Sequence, residues 1–379
     1  MDELARLRES IDEIDAQICR LFEARMDAAR AVAAYKRERN MPVLQPERER
    51  AVLERAAARM GNPDYAPGAR MLFEALMAAS RALQHEALAS GRAEAPAGRA
   101  LPEAPLVAYP GAPGSFSEQA ALDFFGEEAR TLAVDTFEEA ARALAEERAD
   151  CAVLPLENST AGSVDESYAL IEDMRLNIAG EQYVKVAHHL LGAPGAKLED
   201  VREVRSHPQA IAQCRALLLG HPEWRVVPCE NTALAARAVR DARDPSVAAL
   251  ASARAGALYG LTVLHRDAQD AERNATRFAV LTREPVEPPA ADKASVVFTL
   301  PDEVGALARV MAAFARRRIN LKRLQSRPVP EAPWTYRFHA DLEWISGRRA
   351  LLSALEEAGR DAQSLTLLGL YANNRRDAP

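Results

Sequence analysis

Residues 334–344 read WTYRFHADLEW, in which Trp334, Tyr336, Phe338, Ala340, Leu342 and Trp344 alternate with Thr335, Arg337, His339, Asp341 and Glu343. Successive side chains of an extended strand point to opposite faces, so this period of two predicts one apolar face on a core and one polar face in water. Outward from it, the pattern predicts strands over 296–300 and 319–327 with a helix over about 304–317 between them. A helix over about 348–359 and a strand over 365–371 follow. The order βαββαβ predicts an α+β ferredoxin-like sandwich for residues 293–379.

Upstream, REPVEPPAA (283–291) carries three prolines, which excludes helix and central strand and predicts a joint. Before it, LVAY (106–109), CAVLP (151–155), VREVRS (201–206), WRVVP (224–228), SVAALAS (246–252) and RFAVLT (277–282) are short apolar runs separated by alanine-rich stretches. They predict an α/β segment over 105–283 with a largely parallel sheet and two lobes. Residues 86–105, rich in Ala, Gly and Pro, are expected to form a linker.

The first segment, 1–90, reads as all-helical. Leu4, Leu7, Ile11, Ile14, Ile18 and Leu21 alternate spacings of three and four, the seam of a long helix packed on another helix. Pro46 suits the first turn of a second helix. A third is expected from about Ala66 to Leu88, with Leu72, Phe73, Leu76 and Leu83 on one face. A slender three-helix unit of this kind is expected to complete its core as a homodimer. The stripes are interrupted by Arg25, Ser80 and Gln84 where apolar residues belong. Unpaired burial of such groups is costly, so they either pair with one another and with acids such as Glu49 or line a pocket for a polar ligand.

Composition bounds the function. With 379 residues, 48% hydrophobic and 27% charged, the chain has room for two or three cores and is not disordered. A net charge of −7 argues against a nucleic-acid partner. No apolar run approaches a membrane span, and Met1-Asp2-Glu3 lacks a basic leader, so a cytoplasmic location is expected. Cys19, Cys151, Cys214 and Cys229 lack metal-site spacing and are read as buried small hydrophobes, with no metal expected.

On these residues the first segment resembles an all-helical chorismate mutase: Arg8 in LRESIDEID, Arg25 in LFEARMDAA, Lys36 in AAYKRE, Arg48 and Glu49 in PERERAVLE, and Ser80 and Gln84 in LFEALMAASRALQ. The resemblance departs at Gln45, where that family often has Asp. It implies that Arg8, reaching from a second subunit, and Arg25 bind two carboxylates, that Lys36 and Gln84 donate to the ether oxygen, and that Glu49 takes the ring hydroxyl. Ser80 and Arg48 would support binding. Such a rearrangement needs a compact conformer and a stabilised ether oxygen, with no cofactor.

In the middle segment Ser115/Glu118, Ser163/Glu166 and Ser206/Gln209 have the spacing of capping boxes. Each can be a helix cap and no more. Together they predict helix N-termini along one sheet edge, where anions bind. GSFSEQAA, LPLENSTAGSV, SHPQA and Asn274-Ala275-Thr276-Arg277-Phe278 resemble prephenate dehydratase, a fold similar to two-lobed periplasmic binding proteins. The resemblance implies Thr276 as donor to the leaving hydroxyl, with Asn158, Ser159, Thr160, Ser115, Ser206, Arg277 and Phe278 around the substrate. Arg277 reads either as a carboxylate partner or as a structural ion pair. His188 and His189 read as structural or catalytic histidines.

The last segment is similar to the ACT domain of these dehydratases, which binds phenylalanine between paired domains. Gly305, Ala306, Leu307 and Asn320, with Ser326 and Arg327 of Gln325-Ser326-Arg327-Pro328, would contact the effector; the family usually has Glu in place of Gln325. The implied protein is a homodimeric bifunctional enzyme acting on chorismate and prephenate under L-phenylalanine feedback. A non-enzymatic amino-acid sensor and a dehydratase with a degenerate mutase are the competing expectations.

Overall fold

A computed structural model of the chain describes residues 3–39, 46–89, 100–271, 273–286, 288–329 and 332–374. Gln45 and the middle of the expected linker, 90–99, lie outside the described residues. The chain divides into two compact units, Met1–Pro96 and Ala97–Pro379.

The first unit holds α1 (Glu3–Glu38), α2 (Pro46–Ala58) and α3 (Ala66–Ala89). Helix α3 packs on both others. Burial on α1 is confined to its C-terminal half, at Met26, Ala29, Ala33 and Lys36, and the buried apolar residues of the other two helices are Ala56, Ala69, Met77 and Ala78. The seam expected to pack on a neighbouring helix is largely open among the described residues: Leu7 is 59% and Leu21 71% exposed, and Leu72 on α3 is also exposed. Periodicity identified the apolar stripe but could not say which molecule would cover it. Cys19, expected to be buried, is exposed on the same helix.

The second unit begins with β1 (Leu106–Pro110), α4 (Phe116–Phe125), β2 (Arg130–Val134), α5 (Phe137–Ala145), β3 (Cys151–Asn158), β4 (Gly162–Ser163), α6 (Asp165–Asp173) and β5 (Asn177–Lys185). The second lobe follows as β6 (His189–Gly192), β7 (Glu203–Ser206), α7 (Pro208–Gln213), α8 (Arg215–Leu219), β8 (Arg225–Pro228), α9 (Thr232–Ala242), β9 (Val247–Ala251), α10 (Ala253–Tyr259) and β10 (Thr262–His265). The chain then returns to the first sheet as β11 (Ala275–Thr282). The sheets have the orders β2-β1-β3-β11-β5 and β10-β6-β9-β7-β8. Neither is largely parallel, as had been expected. Strand β11 runs against β3 and β5, and β6 against β9 and β10, because the strands that carry the chain between lobes enter each sheet in reverse. Gly114, at φ 92°, sits where the first lobe meets α10, and a Cβ there would lie 2.9 Å from Ala255 Cα.

The chain ends in β12 (Lys293–Thr299), α11 (Ala306–Arg316), β13 (Ile319–Val329), β14 (Ala332–Trp344), α12 (Arg348–Asp361) and β15 (Ser364–Tyr371). These form a βαββαβ unit with sheet order β13-β14-β12-β15. Phe338, Ala340, Leu342 and Trp344 pack on Val310, Phe314, Leu351 and Leu355 of its two helices, while Trp334 is 91% exposed. The opposite face of β14 is not in water. His339 and Asp341 are each 2% exposed, because this face lies on the first lobe. Val297, Leu368 and Tyr371 share one core with Tyr168, Ile178, Ala279 and Leu281. A Cβ on Gly369 would collide with the Ile178 carbonyl, so glycine is what lets β15 come against β5. Among the described residues no helix is long and apolar enough to cross a membrane.

Candidate active sites

In the helical unit, Arg25, Lys36, Arg48, Glu49, Ser80 and Gln84 line one cleft of about 380 Å³ together with Arg81. Arg25 Nη1 donates to Leu76 O at 2.7 Å and also to Ser80 Oγ. Ser80 Oγ donates back to Leu76 O at 2.8 Å, the i−4 bond open to a helical serine. Both readings of the interrupted stripes therefore hold in part: some of these groups pair, yet a cavity remains. Four cations (Arg25, Lys36, Arg48, Arg81) face one carboxylate (Glu49), an excess of 4 − 1 = 3 positive charges. Burial lowers the Lys36 ammonium from its usual range, and Glu49 opposes that shift. Gln84 is 8% exposed, and its Oε1 has no hydrogen-bond partner among the described residues.

Sequence reasoning missed Arg81, whose Nη1 lies 2.6 Å from both oxygens of Glu49. The two sit on different helices, so no sequence spacing signals the pair. Arg8 is exposed on α1 and does not line the cleft of its own chain.

A second cleft, about 350 Å³, lies between the two lobes. Ser115, Asn158 and Thr276 line it from the first lobe, and His207, Gln209, Gln213, Asn231 and Thr232 from the second; His188 also contributes. Ser115 caps α4, accepting from Glu118 N at 3.3 Å, while Glu118 Oε2 accepts from Gly114 N at 2.7 Å. Asn231 caps α9, accepting from Leu234 N at 2.7 Å. Helix starts thus present N–H groups and partial positive charge to the cleft.

The other two expected caps are corrected. Pro208 opens α7, which moves the cap to His207, whose Nδ1 accepts from Gln209 N at 3.2 Å. Ser206 is fully buried and donates to Leu250 O at 2.6 Å, away from the cleft. Helix α6 is capped by Val164 with no side-chain bond, and Ser163 Oγ accepts instead from Arg323 at 2.6 Å. A distant cation took the hydroxyl that the local spacing had assigned to a helix.

Hydrogen-bond polarity in this cleft is fixed from one end to the other. Asn158 Oδ1 accepts from the N–H of Thr160 at 3.1 Å and of Ala161 at 2.9 Å, and from Thr160 Oγ1 at 2.7 Å. Its amide nitrogen therefore faces Asn274 Oδ1 at 2.8 Å and Thr276 Oγ1 at 2.9 Å. Thr160 Oγ1, having donated, accepts from Gln213 Nε2 at 3.1 Å, which turns Gln213 Oε1 to His188 Nε2, also at 3.1 Å. That His188 nitrogen must carry the hydrogen. Burial lowers the His188 pKa despite the Gln213 bond, which favours the neutral ring this requires. At the other end Thr276 Oγ1 receives the Asn158 N–H, so its own proton is available to another acceptor.

Ser159 and Thr160 are exposed and do not line this cleft; Ser159 joins β3 to β11 by accepting from Ala275 N at 3.0 Å. Arg277 and Phe278, expected around the substrate, are also absent from the lining. Arg277 is buried among Glu181, Asp341 and Tyr371, and Phe278 packs in the core with Val107, Val153 and Val184. Side chains alternate along a strand, so Thr276 facing the cleft sends Arg277 to the opposite face.

In the last segment Gly305, at φ 80°, caps α11 ahead of Ala306 and Leu307. Asn320 and Ser326 are exposed on β13. Arg327 Nη1 donates to Asp165 O at 2.8 Å and its guanidinium pairs with the Asp165 carboxylate at the start of α6. Gln325 Oε1 accepts from Arg323.

Three family models match in succession: chorismate mutase type II over 7–85, prephenate dehydratase over 107–286 and the ACT domain over 294–360. A bifunctional chorismate mutase/prephenate dehydratase of Aquifex aeolicus is 34% identical over 372 residues, 98% of each chain. Among solved structures, the prephenate dehydratase of Arthrobacter aurescens in complex with L-Phe matches at TM-score 0.64 and 30% identity, over 72% of this chain and 92% of that one. GqqA, described as a novel type of quorum quenching acylase, matches at TM-score 0.65 and 33% identity, over 72% of this chain and all of that one.

Proposed function

Because the chain belongs to the bifunctional chorismate mutase/prephenate dehydratase family, we propose that it rearranges chorismate to prephenate in the helical cleft and converts prephenate to phenylpyruvate between the lobes. The proposed division is 1–90, 105–283 and 293–379, the last part regulating the second. The observation that carries the dehydratase is that Thr276 lines this cleft with a hydroxyl that accepts from Asn158. When the bond to the ring carboxylate breaks, CO2 departs and its electron pair enters the ring. The carbon–oxygen bond breaks with its pair on oxygen, which needs a proton. Thr276 donates to that oxygen as it leaves, and the proton that completes water is drawn from solvent through this hydroxyl, so the products are phenylpyruvate, CO2 and water. Helix starts and the His207 and Gln209 turn hold the side-chain carboxylate.

For the mutase, the excess of positive charge fits a dicarboxylate. Arg25, with Arg8 of a second copy, takes the carboxylates, Lys36 and the Gln84 amide donate to the ether oxygen, and Glu49, held by Arg81, accepts the ring hydroxyl. Neither reaction calls for a metal or organic cofactor. The exposed α1 stripe supports a homodimer in which each chain completes the other's cleft. L-phenylalanine is proposed as effector at Gly305, Ala306, Leu307, Asn320, Ser326 and Arg327, in the cytoplasm, with no nucleic-acid or membrane partner. The purified chain should consume chorismate and release phenylpyruvate. Prephenate accumulating without phenylpyruvate would remove the second activity, and hydrolysis of acyl amides without decarboxylation would favour an acylase.

A further inference from the structure

Strand β11 has a face that the reaction does not touch. One residue beyond Thr276, Arg277 is 5% exposed, and every nitrogen with a hydrogen to give is engaged. Nε donates to Glu181 Oε2 at 2.7 Å, Nη1 to Asp341, and Nη2 to Tyr371 Oη at 3.0 Å. Asp341 Oδ1 in turn accepts from Ser295 Oγ at 2.6 Å. Lys293 Nζ donates to both oxygens of Glu181, at 2.9 and 2.8 Å. Two cations balance two carboxylates in a cluster that is buried but whose Arg277, Lys293 and Asp341 border a cavity of about 320 Å³ shared with Glu157 and Arg323. Apart from Glu181 on β5, the partners of Arg277 stand on the ACT sheet.

Two features make this cluster more than a fastening. The β3–β11 ladder is irregular between Arg277 and Phe278, and at a bulge backbone pairing no longer fixes how neighbouring side chains aim. The planar guanidinium fork, locked by charged partners, supplies the missing constraint one residue from the donor. Asp341 also pairs in register with Arg323, and His339 with Gln325, on β13. The strand that carries the effector motif is therefore the neighbour of the strand that holds Arg277.

We propose that Asp341 is a positioning residue for the dehydratase: acting through Arg277, it sets the aim of the Thr276 hydroxyl and is the point at which the ACT sheet acts on the catalytic strand. This rests on the reading of Thr276 as donor. The test uses the full chain, comparing wild type, Thr276→Val, Asp341→Asn and Ser295→Ala at 25 °C and pH 7. Thr276→Val tests the underlying reading alone, and retained activity there overturns both. With that reading intact, Asp341→Asn should lower dehydratase kcat by about tenfold, equivalent to ~1.4 kcal/mol, with KM within about twofold and mutase turnover unchanged. A purely structural Asp341 would lower the melting temperature while leaving kcat below it at the wild-type value, and that result overturns the proposal. Should Asp341→Asn fail to fold, Ser295→Ala removes one hydrogen bond from the carboxylate and one from Tyr371 Oη, leaving every charge in place. A kcat loss of about two- to threefold is then expected, and an unchanged kcat overturns the proposal.

Discussion

Asn158 and Thr276 face each other across β3 and β11, and the amide of the first donates to the hydroxyl oxygen of the second at 2.9 Å. A hydroxyl that accepts on that side has its one proton left for the other. Thr276→Val keeps the shape and removes the proton; phenylpyruvate formation should fall by at least ~100-fold, with mutase turnover intact. Thr276→Ser, which keeps the donor but loses the branched restriction on its rotamer, should retain part of the rate. Retained turnover in the valine variant would remove Thr276 from the chemistry.

His188 anchors the far end of the same chain. His188→Leu leaves Gln213 Oε1 without its donor and frees the amide to turn over. The loss of one buried hydrogen bond, ~1–2 kcal/mol, predicts a dehydratase kcat lower by about tenfold. Steady-state rates equal to wild type would show that the polarity of the chain does not depend on this ring.

Gln84 contributes a buried amide at the helical cleft whose oxygen has no partner among the described residues. Gln84→Ala should lower chorismate turnover by ~100- to 1000-fold, the scale seen on removing a donor to a developing negative charge. The dehydratase rate should stay at the wild-type level when prephenate is supplied. Unimpaired mutase turnover would exclude Gln84 from the site.

The exposed stripe on α1 gives a separate prediction. Ile14 is 52% exposed in the single chain, so Ile14→Glu costs an isolated chain little but places a charge inside a helix-to-helix interface. Mutase activity should collapse, because Arg8 no longer reaches a second chain, while far-ultraviolet dichroism stays near wild type. Full mutase activity in this variant would mean that the stripe is not where the chains meet.

Acid should weaken the second unit through Asp341. Burial, the largest single influence, would raise its carboxyl, but Arg277, Lys293 and the Ser295 hydrogen bond together outweigh it and hold it at about 2, against ~3.9 in an unfolded chain. A depressed folded-state value means that the stabilisation is complete above pH ~4 and is lost as pH falls through about 2, an effect of ~2 kcal/mol. Trp224, Trp334 and Trp344 all lie in the second unit, so tryptophan fluorescence during denaturation reports on it. Stability should decline over that window in wild type and less steeply in Asp341→Asn; equal slopes would refute the assignment.

The local grammar of the chain was legible from its residues. The period of two over 334–344, the three-and-four spacing of α1 and the Ser115 cap each identify an element or its start, and a strand, a helix and a cap stand there in the fold; what lies against the α1 stripe and the polar face of β14 was not in those patterns. Local grammar failed where a polar group had a remote alternative. Ser163 reads as a cap but serves Arg323, 160 residues away, and Ser206 yields its cap to His207 because a proline fixes the helix start.

What the sequence determined by itself is therefore the kind of most elements, the order of three segments and most of the polar lining of the helical cleft; of the residues expected around the second substrate, only Ser115, Asn158 and Thr276 line the cleft between the lobes. Only the tertiary structure decided that the polar face of β14 is buried, that Arg81 holds Glu49, and that Arg277 turns from the cleft to Glu181 and Asp341, 96 and 64 residues away. The physical reason is that a polar side chain must find a hydrogen-bonding partner, and nothing in its neighbours along the chain says whether that partner is water or a charge brought beside it by folding.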